Sequence, residues 1–214
     1  MIEQPQFFVT PNASPVYRFL KRTGDILISL LGLIVLSPVL AVVALLIWLE
    51  DRGPVIFTQE RNGLNNRIFK MYKFRSMVIN AAALRSEMEK YNELDGPAFK
   101  MKHDPRITRI GRFIRKTSLD ELPQLVNILL GQMSLVGPRP LPTYETAQCN
   151  DYQMQRLLVK PGLTCYWQIS GRSDITFDEW IEMDLKYIRE ASALTDLKIL
   201  FQTARAVLTG KGAY

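Results

Sequence analysis

Residues 26 to 49 read ILISLLGLIVLSPVLAVVALLIWL and contain no charged side chain. At about 1.5 Å of rise per residue, an unbroken helix over this apolar segment would be roughly 36 Å long, and the hydrocarbon layer of a bilayer is roughly 30 Å thick. A core helix of a soluble protein is rarely apolar on every face. The apolar segment therefore predicts an element that lies in a membrane.

Ser37 and Pro38 interrupt the middle of the apolar segment. Proline lacks a backbone N–H, and its ring clashes with the carbonyl group four residues earlier, so a helix tends to bend or stop there. Each arm, 26 to 36 and 39 to 49, would then be about 16 Å long, too short to cross a bilayer alone. The break predicts a re-entrant helix-break-helix hairpin, and a kinked spanning helix is the alternative.

Basic residues flank the apolar segment on both sides. Residues 18 to 25 carry three Lys or Arg and one Asp, and residues 50 to 75 carry six Lys or Arg and three Asp or Glu. Because Lys and Arg concentrate on the cytoplasmic side of spanning helices, two positive flanks favour a segment that enters and leaves through one face. We therefore predict an N-terminal segment 1–25, a membrane segment 26–49 and a cytoplasmic domain 50–214.

The remaining sequence predicts one compact, α-dominant α+β domain with a small β-hairpin. Two β-prone stretches, 55–58 and 67–74, are joined by the turn signal Asn62-Gly63. Helical patterns cover residues 78–91, 105–116, 122–130, 177–191 and 197–208.

The stretch 105–116 interleaves basic and apolar side chains at helical spacing. Its basic residues are Arg106, Arg109, Arg112, Arg115 and Lys116. This pattern is typical of an amphipathic helix on an anionic membrane surface. A solvated basic face above an ordinary core stripe is the alternative, and the neighbouring membrane segment favours the first interpretation.

The composition excludes several kinds of site. The 214 residues include 27 Lys and Arg, 21 Asp and Glu, two Cys and a single His, His103. They contain no zinc cluster, disulfide framework, phosphate loop, GxGxxG or HExxH motif. The net charge of +6 favours anionic partners, namely nucleic acid, phospholipid or phosphorylated substrates. Any chemistry is therefore expected to depend on carboxylates and basic side chains.

The adjacent carboxylates Asp120 and Glu121 form the most unusual local arrangement, since they follow Arg115-Lys116 and precede Pro123. A helix that begins here would have Asp120 as its N-cap, and capping alone is a sufficient reason for such a pair. The alternative is chemical: one carboxylate binds a hard cation such as Mg²⁺ and the other attacks a phosphoryl group. Guanidinium and ammonium groups that could hold phosphates belong to Lys73, Arg75, Arg112, Arg115, Arg139 and Arg172.

Three motifs carry a resemblance to a known family. They are MYKFRSM at 71–77, TSLDELPQLVNILLGQMSLVGPRP at 117–140 and KPGLTCYWQISGRSD at 160–174. Over about residues 16 to 208, the chain resembles the bacterial sugar transferases, the monotopic phosphoglycosyl transferases. The resemblance implies that Asp120-Glu121 is the catalytic dyad of the family and that Ser37-Pro38 is the break in its re-entrant helix. Cys165-Tyr166 departs from the family pattern, which has glycine followed by a bulky residue.

The resemblance also implies a reaction. Members of the family transfer a sugar 1-phosphate from a UDP-sugar to polyprenyl (undecaprenyl) phosphate, the first membrane step of polysaccharide or glycoconjugate assembly. UMP would be released, Asp120 would carry a covalent phosphosugar, and Mg²⁺ would bind Glu121. We expect a monotopic protein of the short, catalytic-domain-only type at the cytoplasmic face of the bacterial inner membrane, with homo-oligomerisation left open.

Two other classes fit the residues less well. A non-catalytic membrane adaptor would use the dyad only as a helix cap. A nucleic-acid-binding protein follows from the net charge alone, but the basic residues lie near the membrane segment and no nucleic-acid-binding module is recognisable, so we expect no nucleic acid partner. The motifs leave the identity of the sugar open, because different UDP-sugars present the same diphosphate.

Overall fold

The computed structural model describes residues 8–12, 14–88, 91–92, 101, 104–170 and 175–209, so that His103 and Arg172 lie outside the described residues. In chain order the elements are α1 Pro15–Asp51, β1 Ile56–Asn62, β2 Ile68–Phe74, α2 Arg85–Met88, α3 Arg109–Lys116, α4 Gln124–Leu129, β3 Ser134–Val136, α5 Thr143–Thr146, α6 Asp151–Met154, β4 Gly162–Thr164, α7 Tyr166–Ile169, α8 Phe177–Glu190 and α9 Ala193–Thr209. Short 3₁₀ turns cover Leu64–Asn66, Leu119–Glu121 and Gln155–Leu158. The α-dominant α+β class is confirmed.

The apolar segment forms most of one long helix, α1, which also includes basic residues before it. The Ser14 hydroxyl caps the start, where it accepts a hydrogen bond from the backbone of Tyr17 at 3.4 Å. Arg52, in the left-handed conformation with φ 58°, ends the helix. Of the most apolar stretch of 18 residues in α1, 11% is buried inside the structure. A core helix of a soluble protein would be mostly buried, so the exposed apolar surface of α1 favours an apolar environment.

Pro38 lies inside α1, and the structure does not divide the apolar segment into two separate helices at this point. Proline has no N–H to donate to the carbonyl oxygen of Ile34, four residues earlier. The Ser37 hydroxyl donates to that oxygen instead, at 2.8 Å. The serine side chain thus replaces the hydrogen bond that the proline removes. The re-entrant hairpin, in which the two arms of the segment enter and leave a membrane through the same face, stays a prediction.

The N-terminal part of α1 is bound to the domain by polar side chains. Lys21 donates to a backbone carbonyl group of β3 at 3.0 Å, and Arg22 donates to two carbonyl groups at the end of α4 at 2.6 and 2.8 Å. The buried Asp25 carboxylate accepts hydrogen bonds from Ser134 and Leu135 of β3 at 3.0 and 2.9 Å. The predicted N-terminal segment therefore contributes the first turns of α1 to the packing of the domain.

The C-terminal end of α1 is bound to the same domain. The Glu50 carboxylate accepts hydrogen bonds from the first two backbone N–H groups of α3, at 2.9 and 3.3 Å. The Asp51 carboxylate forms a two-pronged ion pair with Arg75, directly after β2. Val43 and Ile47 of α1 share a small apolar core with α3 and the end of β2. Both ends of the apolar segment therefore lie against one folded unit.

The predicted β-hairpin is confirmed, with β1 and β2 antiparallel and in register from Ile56 opposite Phe74 to Asn62 opposite Ile68. The fully buried side chain of Asn127 joins this hairpin to α4. Its oxygen accepts from the backbone of β2 at 2.9 Å, and its nitrogen donates to a β2 carbonyl group at 2.7 Å. Because β2 carries Lys73, this connection fixes that side chain relative to the segment before α4.

A second sheet, the parallel pair of β3 and β4, was not predicted. Its strands lie next to Gly137-Pro138 and Pro161-Gly162, residue pairs that are typical of loops. A Cβ on Gly162 would stand 2.1 Å from the backbone nitrogen of Gly137, so these two glycines serve the close approach of two chains. The sheet fixes the start of the loop that carries Arg139.

The helices agree with the sequence prediction best near the C-terminus. α8 and α9 cover the predicted ranges 177–191 and 197–208 to within a few residues. The predicted helix 78–91 is mostly wrong, since turns precede α2, which covers only four residues. α3 begins at Arg109, where the Thr108 hydroxyl caps it with a hydrogen bond at 2.9 Å.

We expect Gly111→Ala to destabilise the domain, because a Cβ at this position of α3 would stand 1.9 Å from the carbonyl oxygen of Ser76. Relieving that overlap should cost about 1 to 3 kcal/mol. Gly24→Ala in α1 is the matched control, since nothing lies within 4 Å of its Cβ. Thermal unfolding in detergent should give a lower midpoint for the first variant and an unchanged or higher one for the second. Equal midpoints would contradict this packing of α3.

Candidate active site

The carboxylates Asp120 and Glu121 lie in the 3₁₀ turn between α3 and α4. Ser118, before the turn, has the left-handed conformation with φ 58°, which few residues other than glycine adopt. α4 starts after Pro123, and no side chain accepts a hydrogen bond at its first turn. The prediction that Asp120 caps this helix is therefore wrong, because the turn and Pro123 separate both carboxylates from the helix start. Helix capping no longer explains the pair.

The Glu121 carboxylate is held between two cationic groups. The Lys73 ammonium group lies 2.9 Å from Oε1, and the Arg139 guanidinium group lies 2.5 Å from the same oxygen. Oε2 has longer contacts, 3.4 Å to Arg139 and 3.5 Å to the side-chain nitrogen of Gln168. The Glu121 side chain is 15% exposed, so these charged hydrogen bonds form away from bulk water.

Burial and ion pairing act in opposite directions on these groups. Burial alone would raise the pKa of the Glu121 carboxyl. The charges and hydrogen bonds of Arg139 and Lys73 outweigh this effect and hold the pKa well below its usual range. Burial lowers the pKa of Lys73, and the charge of Glu121 opposes that shift. The pKa of Arg139 is raised above its ordinary value, since Glu121 outweighs the effect of burial. Glu121 is therefore ionised between two cations.

Asp120 differs from its neighbour in having no hydrogen bond or ion pair with any of the described residues. Burial and the adjacent charge of Glu121 raise the pKa of Asp120 to about 6, while Lys73 and Arg115 oppose the increase. At neutral pH Asp120 is therefore an unpaired carboxylate in a site of positive charge. Such a group is able to act as a nucleophile towards an anionic electrophile.

Three of the predicted phosphate-binding residues interact electrostatically with the dyad, and two of them contact it. Lys73 and Arg139 contact Glu121, and the charge of Arg115 lowers the pKa of Asp120. Arg75 has a different partner, because it pairs with Asp51 and donates from Nε to the carbonyl group of Pro54 at 2.6 Å. The structure therefore places Arg75 in the attachment of α1.

The basic residues of the predicted interfacial helix have different surroundings. Arg109 and Arg112 are exposed on α3, together with Phe113. Arg106 is buried in an ion pair with Asp104 at 2.6 Å, so it is not part of an exposed basic face. Arg172, the remaining predicted phosphate ligand, lies outside the described residues.

Sequence reasoning missed Arg61, a residue of β1 beside this site. Its guanidinium group donates to the carbonyl group of Pro140 at 2.8 Å and to Gln59 at 2.6 Å, and its buried Nε has no partner among the described residues. Burial, followed by repulsion from Arg139, lowers the pKa of Arg61 to about 10. Only the pairing of β1 with the loop after β3 brings it here, so no local signal could have identified it.

The dyad suits a magnesium ion only if the substrate supplies further ligands. The described residues contain no group of three or more His, Cys, Asp or Glu side chains able to hold a metal. Mg²⁺ commonly binds one or two carboxylates together with phosphate oxygens and water. Glu121 Oε2, with its long contacts, and the unpaired Asp120 carboxylate fit this mode.

Comparison with known proteins identifies the family of the chain. A family model described as "Bacterial sugar transferase" matches residues 16–210. The galactosyl transferase CpsE of Streptococcus agalactiae is 47% identical over 90% of this chain and 43% of its own length. The undecaprenyl-phosphate galactose phosphotransferase of Salmonella typhimurium is 45% identical over 92% of this chain and 42% of its own length.

This chain spans less than half the length of those two relatives. It spans nearly all of a third, the exopolysaccharide production protein ExoY of Sinorhizobium fredii, which is 40% identical over 97% of this chain and 95% of its own length. The family match includes α1, the dyad and both segments that supply its cations. The chain therefore belongs to the bacterial sugar transferase family.

Proposed function

We propose that this protein transfers a sugar 1-phosphate from a UDP-sugar to polyprenyl phosphate and releases UMP. The observation that carries the proposal is the unpaired Asp120 carboxylate beside the cationic groups of Lys73, Arg115 and Arg139. A diphosphate needs such cations to approach a carboxylate. The names of two relatives, undecaprenyl-phosphate galactose phosphotransferase and undecaprenyl-phosphate glucose phosphotransferase, support the choice of donor and acceptor.

In the first step, a carboxylate oxygen of Asp120 attacks the phosphorus atom that carries the sugar. A P–O bond to Asp120 forms, giving an acyl phosphate, and the P–O bond to the bridging oxygen of UMP breaks. Lys73 and Arg139 stabilise the negative charge that accumulates on the departing UMP. With a pKa of about 6, Asp120 is ionised at neutral pH and is ready to attack.

In the second step, a phosphate oxygen of the polyprenyl phosphate attacks the same phosphorus atom. The P–O bond to Asp120 breaks, so the sugar 1-phosphate becomes part of a polyprenyl diphosphate and the Asp120 carboxylate is restored. Glu121 does not form a bond to phosphorus in either step. Its ionised carboxylate holds Lys73 and Arg139 at the reacting groups.

We include Mg²⁺ in this proposal: Glu121 would hold the ion, and oxygens of the donor diphosphate would supply further ligands. When bound, the ion supplies positive charge that stabilises a leaving phosphate. The separation of roles follows from the two environments: Glu121 is ionised and held in place, and Asp120 has no partner among the described residues.

We also propose that α1 is re-entrant at the cytoplasmic face of the bacterial inner membrane. Lys21 and Asp25 at one end of the apolar segment, and Glu50 and Asp51 at the other, bind the same domain. A spanning helix would place these ends on opposite sides of a hydrocarbon layer of roughly 30 Å. A shallow segment would instead let a soluble donor meet a lipid acceptor at one interface.

The two alternative classes have less support. The adaptor class depended on the dyad as a helix cap, and no side-chain cap is present at the start of α4. A nucleic-acid partner still rests on net charge alone, and Arg106, one of the basic residues of the stretch 105–116, is buried in an ion pair with Asp104 and so is not exposed to a nucleic-acid backbone.

Trapping the covalent intermediate tests the proposed reaction. Detergent-solubilised protein incubated with Mg²⁺ and one of a panel of UDP-sugars, without lipid acceptor, should gain the mass of one sugar phosphate on the peptide that contains Asp120. Asp120→Asn, which is nearly isosteric, should gain no mass, and Glu121→Gln should lose at least 100-fold in the rate of UMP release. Chelation of Mg²⁺ by EDTA should prevent the adduct in the parent protein. UMP release only when acceptor is present, without an adduct, would indicate direct transfer.

Arg139 and Arg75 should respond differently to the same substitution, although both were predicted to bind phosphate. Arg139→Lys removes the fork that holds Glu121 and should lower kcat by about 10- to 100-fold, the equivalent of one charged hydrogen bond. Arg75→Lys should chiefly lower the thermal unfolding midpoint, because its partner is Asp51. UMP release per folded molecule and unfolding curves separate the two effects. A larger loss of kcat in Arg75→Lys would return that residue to the site.

The re-entrant topology predicts that both termini lie in the cytoplasm. Cysteines introduced at Gln6 and Tyr214, in a background without Cys149 and Cys165, should resist a membrane-impermeant thiol reagent added to intact cells. Both should react after the cells are permeabilised, which is the positive control. Labelling of the cysteine at position 6 from outside, with protection of the one at position 214, would show that α1 spans the membrane.

A further inference from the structure

We propose that a buried ion pair between Arg156 and Asp184 positions Arg139 for the reaction, an inference that rests on the proposed function. Arg156 lies in the 3₁₀ turn Gln155–Leu158, and Asp184 lies on α8. Neither residue touches the dyad directly. They act through the backbone of Arg139, and we therefore class them as positioning residues.

The contact between the ion pair and the site is direct and short. One terminal nitrogen of Arg156 donates to the Asp184 carboxylate at 2.5 Å and to the backbone carbonyl oxygen of Arg139 at 2.6 Å. The two side chains of the pair are 3% and 1% exposed. The Arg156 guanidinium group also lies 5.3 Å from the ring centre of Trp180 on α8. Asp184 and Trp180 thus orient the group that holds Arg139.

The sequence around Arg139 explains why a side-chain donor is needed there. Arg139 stands between Pro138 and Pro140, which have no backbone N–H groups. The backbone on either side of it can therefore be anchored mainly through its carbonyl oxygens. Arg156 binds the carbonyl group of Arg139, and Arg61 binds that of Pro140 at 2.8 Å. The backbone N–H of Gly162 binds the remaining carbonyl group of this run, that of Pro138, at 2.9 Å, so that the two guanidinium groups hold the part of the loop from Arg139 onwards.

Stability alone is a poor reason for the pair. Transferring both charges out of water costs several kcal/mol, and well-packed apolar side chains of similar volume commonly replace such a pair without loss of stability. Placement of Arg139 is a sufficient reason, because a displacement of about 1 Å at a group that acts on the transition state lowers rates by about 100-fold. Arg139 is 2.5 Å from Glu121, so a shift of its backbone moves that contact directly.

The test uses a charge-free pair and a double-mutant cycle. Arg156→Met with Asp184→Leu removes both charges together and leaves no buried ion unpaired. We expect an unfolding midpoint close to that of the parent, a kcat for UMP release about 10- to 100-fold lower, and a KM for the UDP-sugar within about threefold. In the Arg139→Lys background, the same two substitutions should lower kcat by less than threefold, because the group they position has already been replaced.

Two further variants keep the test decisive if the double variant Arg156→Met with Asp184→Leu does not fold. Arg156→Lys keeps a charge opposite Asp184 but loses the planar fork, and it should give the same non-additive result with Arg139→Lys. Glu182→Gln with Arg189→Met removes an exposed ion pair within α8, whose charged atoms are 3.9 Å apart. This control should leave kcat unchanged within twofold.

Each outcome separates this inference from the proposed function. If the fold-loss of kcat in the combined variant equals the product of the losses in the Arg156 variant and in Arg139→Lys, the ion pair acts independently of Arg139 and the proposal is overturned. An unchanged kcat in both Arg156 variants would also overturn it. A parent protein that releases no UMP and forms no adduct with any UDP-sugar would overturn the proposed function itself. An active parent with unaffected variants would overturn only the positioning role.

Discussion

The burial of one ionised carboxylate, Glu121, is the constraint on which the site depends. A buried charge is tolerated only when it is paired and hydrogen-bonded. Its partners come from separate parts of the chain: Lys73 from β2, Arg139 from the loop after β3 and Gln168 from α7. These elements must close on the dyad turn before the charge can leave water. The same closure places a second carboxylate, Asp120, beside more positive charge than Glu121 alone can neutralise.

Helix α1 is connected to the same elements. Lys73 is carried by β2, and the residue after that strand, Arg75, is paired with Asp51 at the end of α1. Asp120 follows α3, whose first backbone N–H groups bind Glu50. Two adjacent carboxylates of α1 therefore bind the two elements that lead to Lys73 and to the dyad. The end of α1 therefore has direct contacts with both elements that lead to the site.

Local signals in the sequence predicted some of this arrangement and missed the rest. The apolar segment, the β-hairpin and the adjacent carboxylates are contiguous patterns, and the structure has each of them. Arg61 could not be predicted, because 79 residues separate it from the Pro140 carbonyl group it binds. Arg75 was predicted to bind phosphate because arginine commonly does so, but its guanidinium group forms an ion pair with Asp51 in the structure. The capping role of Asp120 is absent, since this residue lies in a 3₁₀ turn and α4 starts only after Pro123.

The structure also changes which feature explains the proposed path of α1. The Ser37 hydroxyl supplies the hydrogen bond that Pro38 removes, so the helical backbone passes through this pair without an unsatisfied carbonyl group. Proline alone therefore does not require the chain to turn back. The stronger constraint lies at the ends, where the charged side chains of Lys21, Arg22 and Asp25 form hydrogen bonds with β3 and α4. The proposed topology, with both ends of the segment at one face, is compatible with these contacts and with those of Glu50 and Asp51 at the same time.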